Sequence, residues 1–309
     1  MKRFSVILLV FILLTGTACS AQKSDSAQDN AQNDVQNSAQ STEDDSAGNF
    51  EIGGNNAKVR EQLKEINDNW VLNKKYIVEA QTINDRPAEW LSAKDKAPQK
   101  AILQLHGGAY IRDISFSAPL YSRMAEKYAD ISGAAVLTVD YRVAPEHPYP
   151  AALEDAFAAY QWLLDQGYTG EDILIAGDSA GGGLALVLIL YLRDNNLPLP
   201  AAVLTMSAWA KLDLWITPAY IGKNDPKIPY ISPCYGDYTG FPPMLMQVGT
   251  RDIQRGTRLV AENAQSANVD ITMTTYQGMV HVFQALFPVY EKSCLAWDEA
   301  ESFISRIFC

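Results

Sequence analysis

The chain has 309 residues, 48% hydrophobic, 20% charged and 10% aromatic, an ordinary globular composition with ample length for one large core and one domain of about 250 residues. Its formal net charge of −11 argues against a nucleic-acid partner, which would need a basic face to neutralise phosphates. The same balance disfavours attraction to anionic lipid, so any membrane association has to come from the N-terminus.

Lys2 and Arg3 precede an apolar run from Phe4 to Leu14, and small residues follow up to Ala18. This is the layout of a signal peptide over residues 1–18. As a helix the run would span only about 16 Å, too short for a hydrocarbon core of about 30 Å. Cys19 then stands where a bacterial lipoprotein carries its acylated cysteine, and the stretch resembles a lipobox with Ala18 before the cysteine and Gly16 where leucine is usual. The expectation is an exported protein facing outside the cytoplasm, held at the cell membrane through lipidated Cys19. Ordinary cleavage after Ala18 would instead leave it secreted. Residues 19–50 are rich in Ser, Gln, Asn, Asp and Ala, cannot bury enough surface to fold, and read as a polar tether with a reach of roughly 30 Å. The folded domain is assigned to 51–309. Three cysteines remain beyond Cys19, namely Cys234, Cys294 and Cys309, so no disulfide framework is implied, although one bridge, Cys294 to Cys309 being the shortest loop, stays open. No CxxC or His-rich cluster supports a metal.

Within the domain, Val59, Leu63, Ile66 and Trp70 recur at spacings of three and four and predict a packing helix from Ala57 to Leu72. Six short apolar runs follow: Ala101 to Gly108, Ala134 to Arg142, Asp172 to Gly182, Ala201 to Ser207, Met244 to Thr250 and Ile271 to Tyr276. Helical segments such as Leu120 to Tyr128 and Leu153 to Leu164 lie between most of them. Continuous apolar runs bounded by turn residues are what parallel strands buried on both faces look like, and the alternation indicates a doubly wound α/β sheet. Ligands in such sheets collect at the carboxyl ends of the strands, so the chemistry is sought just after each run.

Within the third run, Gly177, Asp178, Ser179, Ala180 and Gly181 form G-x-S-x-G between a strand and a helix that starts with Gly182 and Gly183, the pattern of a nucleophile elbow. The turn is so tight that side chains two before and two after the serine would collide with backbone. The alternative, a phosphate loop, lacks the lysine it would need. Of three histidines, His106 and His147 precede the serine, and His281 alone follows it, after the last apolar run. The chain order Ser, acid, His therefore selects His281 as general base. Asp252, just past Met244 to Thr250, meets the two conditions for the orienting acid, whereas Asp225 and Asp237 precede that strand and Glu262 and Asp270 lie too far beyond it. The bland alternative is that Asp252 pairs with Arg251 or Arg255 on the surface. Gly107, Gly108 and Ala109, after His106, supply backbone N–H donors for an oxyanion hole together with Ala180, each donor worth roughly 3 kcal/mol in the transition state. His106 itself reads as a loop-fixing residue.

The segments LQLHGGAY, DYRVAPEHPYPAALEDA, GDSAGG, SPCYGDYTGFPPMLMQVG and YQGMVHVFQ, in this order from about Arg86 onward, resemble the hormone-sensitive-lipase family of bacterial esterases. The resemblance implies an α/β-hydrolase fold with a mainly parallel sheet of about eight strands. It further implies a cofactor-free and metal-free esterase acting on short acyl chains, and a small helical cap from the N-terminal helices and the stretch after the sixth strand. Asp140, Tyr141, Arg142, Pro145, Glu146 and Pro148 match the family's block that shapes the core beneath the site. The chain departs from the pattern at Ala109, at Arg251 and Gln254 beside the acid, and between Leu214 and Pro218, where about one cap helix is missing. The expected activity is a carboxylesterase on a small-molecule ester. An amidase or peptidase with the same triad, or a non-catalytic ligand-binding relative, are the alternatives.

Overall fold

The computed structural model describes residues 69–213 and 218–308. The expected signal segment, Cys19, the tether, nearly all of the helix expected from Ala57, the residues between Leu214 and Pro218, and Cys309 lie outside the described residues. The last residues of that expected helix, Trp70 to Leu72, belong to no helix. Trp70 Nε1 donates to Glu126 Oε2 at 2.9 Å and the Asn73 N–H to Glu126 Oε1 at 3.1 Å, which ties the chain down just before it enters the sheet.

Each of the six apolar runs forms a strand: β3 (Ala101–Leu105), β4 (Ala135–Val139), β5 (Ile173–Asp178), β6 (Ala202–Met206), β7 (Met244–Gly249) and β8 (Ile271–Tyr276). They pair in parallel in the order β4-β3-β5-β6-β7-β8. Two further strands, β1 (Tyr76–Ile83) and β2 (Arg86–Ala93), form an antiparallel hairpin that extends the sheet to eight strands beyond β4. The hairpin carries no continuous apolar run, because β1 is the edge and most of its residues are exposed. Its local signal is the turn: Asn84 and Asp85 both adopt positive φ, 49° and 59°, as a two-residue hairpin loop requires.

Alternate side chains of the central strands point to opposite faces, and each face has its own helices. On one side Leu103, Ile175, Val203 and Met246 pack under α2 (Ala151–Asp165), α3 (Ser179–Asp194) and α4 (Gln254–Ser266). On the other, Ile102, Leu174, Leu204 and Leu245 pack under α1 (Ala118–Ser132) and α5 (Glu291–Phe308). The short continuous runs are thus explained by burial on both faces. Between β6 and β7, among the described residues, the helical pieces are no longer than the four residues Pro218–Ile221, so this part of the cap is small.

The expected core-shaping block after β4 is held by a buried carboxylate. Asp155 on α2 accepts from the Arg142 backbone N–H at 2.8 Å, from Arg142 Nε at 2.9 Å and from Asn84 Nδ2 at 2.7 Å. One side chain therefore joins the hairpin turn, the segment after β4 and α2. Asp155→Ala would leave those donors without their acceptor. We expect it to lower the unfolding free energy by about 3 to 5 kcal/mol, read as a lower urea midpoint at unchanged slope. A loss below about 1 kcal/mol would show that the network does not hold these elements together.

Candidate active site

β5 ends at Asp178 and α3 begins on the next residue, Ser179, three residues earlier than the sequence pattern suggested. The chain reverses there within a single residue, which forces Ser179 to φ 52° in the left-handed region. A β-carbon on Gly177 would run into the Gly181 carbonyl, and one on Gly181 into the carbonyls of Leu105 and His106. The two glycines therefore leave room for the turn, and the serine side chain sits at the N-terminus of α3, where the helix dipole favours negative charge.

Ser179 Oγ lies 2.7 Å from His281 Nε2, and His281 Nδ1 lies 2.7 Å from Asp252 Oδ1. The carboxylate can only accept, so Nδ1 carries the proton and Nε2 is left to accept from the serine hydroxyl. The three residues come from the ends of β5, β7 and β8, 102 and 29 positions apart from serine to histidine and from histidine to acid. Backbone bonds hold the two later loops side by side: Thr250 N–H to Tyr276 O at 3.1 Å and Arg251 N–H to Met279 O at 3.0 Å. The Asp252 side chain is 1% exposed, which rules out the surface pairing with Arg251 or Arg255. Burial pushes its carboxyl up. The bond and charge of His281, the Ser207 hydroxyl and the Ile253 N–H outweigh that and leave it below its usual range.

Three of the other four carboxylates are engaged elsewhere. Asp237 accepts from Thr239, Asp225 from the Lys227 N–H, and Asp270 pairs with Arg306. His147 is exposed, beside Tyr149 and Arg142 in a groove that does not include Ser179. His106 is fully buried, stacked on Tyr141 at 4.0 Å, with Nδ1 donating to the Gly107 carbonyl at 2.6 Å. Burial lowers its basicity, so it stays neutral and fixes the loop.

The loop after β3 lies against the elbow. Gly107 does not offer its N–H to the open site: it donates to Tyr121 Oη at 2.8 Å and Asp178 Oδ1 at 3.1 Å. This narrows the expected donor set. Among the described residues the N–H groups of Gly108, Ala109 and Ala180 have no recorded acceptor, while Gly107 anchors the loop. Ala109 takes φ 58°, so the place of a third glycine still has the glycine-like backbone. Sequence reasoning gave no role to Asp178, Tyr121 or Ser207. Asp178 lies inside the G-x-S-x-G motif and Ser207 just past β6, so the strand-end rule reaches both. Tyr121, inside α1, has no such signal.

The comparisons agree with this architecture. A family model described as alpha/beta hydrolase fold matches residues 102–214 and 210–285. An acetyl-hydrolase of Streptomyces hygroscopicus is 35% identical over 245 residues, 72% of this chain and 81% of that protein. An esterase of Acinetobacter venetianus is 33% identical over 228 residues, 65% of this chain and 73% of its own. The crystal structure of an esterase from the bacterial hormone-sensitive lipase family superposes with a TM-score of 0.72 at 32% identity, covering 81% of this chain and 91% of that one. The chain belongs to the hormone-sensitive-lipase-like family of bacterial esterases. It is a serine carboxylic-ester hydrolase acting on small-molecule esters.

In this esterase the anchor of the loop is electrostatically costly. Burial pushes the Asp178 carboxyl up to about 6, against the opposing pull of the His281 charge, the Gly107 N–H and the Tyr121 hydroxyl. Raised above its unfolded value, Asp178 holds more protons in the folded state between about pH 4 and pH 6, so its contribution to stability falls as pH rises through that window and stays low above it. Asp178→Asn, which keeps an acceptor for Gly107 and cannot ionise, should therefore gain stability relative to the parent as pH goes from about 4 to 7, by a few kcal/mol. Thermal unfolding of both proteins across that range checks it. A stability difference independent of pH would remove the buried charge as its cause.

Proposed function

We propose that the esterase hydrolyses short-chain acyl esters through an acyl-enzyme intermediate, with Ser179 as nucleophile, His281 as general base and acid, and Asp252 as the group that orients the imidazole. The observation that carries this reading is the continuous relay from Asp252 through His281 to Ser179, with 2.7 Å at each link. Ser179 Oγ attacks the ester carbonyl carbon as its proton passes to Nε2. The carbonyl electrons become an oxyanion, received by the N–H groups of Gly108, Ala109 and Ala180 at the positive end of α3. Collapse breaks the bond to the alcohol oxygen, which takes the proton from His281 and leaves. Water, deprotonated by the same nitrogen, then attacks the acyl-Ser179 carbonyl, and the acid departs as the serine regains its proton. The name of the acetyl-hydrolase relative supports a small acyl group.

Ser179→Ala should abolish turnover of p-nitrophenyl acetate and labelling by a fluorophosphonate. Asp252→Asn, which offers the imidazole an amide able to stabilise the wrong tautomer, should lower kcat by about 10⁴ without loss of fold. Asp225→Asn and Asp237→Asn should stay near the parent. Near-normal turnover in Asp252→Asn would overturn the acid assignment, and more than a few per cent activity in purified Ser179→Ala would overturn the nucleophile. Rates against a series of acyl chain lengths, with matched anilides, test the short-chain ester preference.

We also propose that residues 1–18 direct export and that lipidated Cys19 holds the enzyme at the membrane through the polar stretch 19–50. The support is the order of the sequence itself: basic residues, an apolar run, small residues and a cysteine, then a tract of low hydrophobicity. Cys19→Ala should move the enzyme from the membrane fraction to the soluble one, since stable attachment needs two or more acyl chains. Unchanged fractionation would refute the anchor.

A further inference from the structure

Ser207 stands one residue past β6, the strand between the one that carries Ser179 and the one that leads to Asp252. Its side chain is fully buried and its backbone takes φ 56°. A residue with a β-carbon holds that conformation only where its surroundings impose it. The Ser207 N–H donates to Gln247 O at 2.7 Å, which fixes the backbone, and Ser207 Oγ accepts the N–H of Val282 at 2.8 Å. Val282 follows His281 directly and is itself at φ 51°, a genuine outlier for a β-branched residue. One hydrogen bond thus ties two positive-φ residues together, and one of them directly follows His281.

The other end of the relay has a matching deficit. Asp252 Oδ1 accepts from His281 Nδ1 at 2.7 Å and from the Ile253 N–H at 2.6 Å. Oδ2 is buried and, among the described residues, has no hydrogen-bond partner, a costly state for a carboxylate oxygen. Ser207 Oγ and Asp252 Oδ1 are tied to consecutive residues, the one to the Val282 N–H and the other to the His281 ring, which brings the hydroxyl toward this carboxyl, and the hydroxyl helps to hold the carboxyl below its usual range. A hydroxyl has one proton and two lone pairs. Val282 occupies a lone pair, and among the described residues no acceptor is recorded for the proton. The terminal torsion of an aspartate is broad, so its rotamer alone does not fix which way the carboxylate faces.

We propose that Ser207 is a positioning residue for the relay, its hydroxyl proton turned to Asp252 Oδ2 while its lone pair holds the Val282 N–H. One side chain then sets both the plane of the acid and the exit of the histidine segment. The inference rests on the triad reading above. It gives the end of β6 a part in the reaction, between the strands that supply the nucleophile and the acid.

The test uses Ser207→Ala and Ser207→Gly, with Asp252→Asn alongside, in steady-state hydrolysis of p-nitrophenyl acetate across pH. Losing a hydrogen bond to a charged group should lower kcat about ten- to a hundredfold in both Ser207 variants, with KM nearly unchanged. The acid limb of the kcat/KM profile should move to higher pH, because a carboxylate with one donor fewer takes up a proton more readily. His281 is the titratable group acting on Asp252, Asp178 at the end of β5 interacts with the same imidazole through charge while bonded to Gly107 and Tyr121, and Arg251 and Arg255 are exposed, so the limb reports this cluster. Glycine relieves the positive φ while removing the hydroxyl. A shared loss in both variants, with the Gly variant still folded by its unfolding midpoint, assigns the effect to the hydroxyl. Ser207→Cys, which keeps a weak donor and acceptor, should recover part of the rate. Near-parental kcat and an unmoved acid limb in Ser207→Ala would overturn the proposal, as would a loss in Ser207→Ala that Ser207→Gly restores. Full activity in Asp252→Asn would instead remove the acid assignment beneath it, a result distinct from failure at Ser207.

Discussion

Ser179 carries a β-carbon in left-handed backbone at the exit of a fully buried strand, and the rest of the site is arranged around that strained turn. The conformation persists because it is held on several sides. Gly177 and Gly181 leave no side chains in the way, and the Ser179 carbonyl accepts the N–H of Trp209 at 2.8 Å, tying the elbow to the segment after β6. Strain confined in this way aims the hydroxyl out of the sheet and puts the N–H groups of the first turn of α3 beside it.

The parallel sheet then supplies the other groups. Because β3, β5, β6, β7 and β8 all run the same way, their carboxyl ends open on one rim, and each end delivers one part: the donor loop after Leu105, Ser179, Ser207, Asp252 and His281. Two buried carboxylates on this rim end in opposite electrostatic states. Asp252 is drawn down by the bond and charge of His281, whereas Asp178 is pushed up to about 6 by burial while it accepts from the Gly107 N–H. The first charge is stabilised by the histidine beside it, and the second is held against the N–H of the loop after β3. Such a site holds less stability than its packing would permit, the usual relation between activity and stability.

Much of this was legible in the sequence for a local reason. A strand buried on both faces must be apolar throughout, so six strands announced themselves as short runs. A nucleophile at a strand-to-helix turn needs small neighbours, so Gly177 and Gly181 flagged Ser179. His281 and Asp252 followed from chain order and from their place just after a run. What stayed hidden depends on partners distant in the chain. The hairpin of β1 and β2 lies at an exposed edge where no burial pattern is imposed, and its register against β4 is set by cross-strand bonds. The occupation of the Gly107 N–H was decided by Tyr121 and Asp178, 14 and 71 positions away. The place of Ser207 beside Val282, 75 positions on, depends on two positive-φ residues meeting across the rim. Residue type and spacing thus determined which groups stand at the strand ends, because local sterics and burial act on short segments. Which donors are free and which side chains hold the reacting ones was decided only by the packed sheet, because a hydrogen bond depends on where its partner ends up in space.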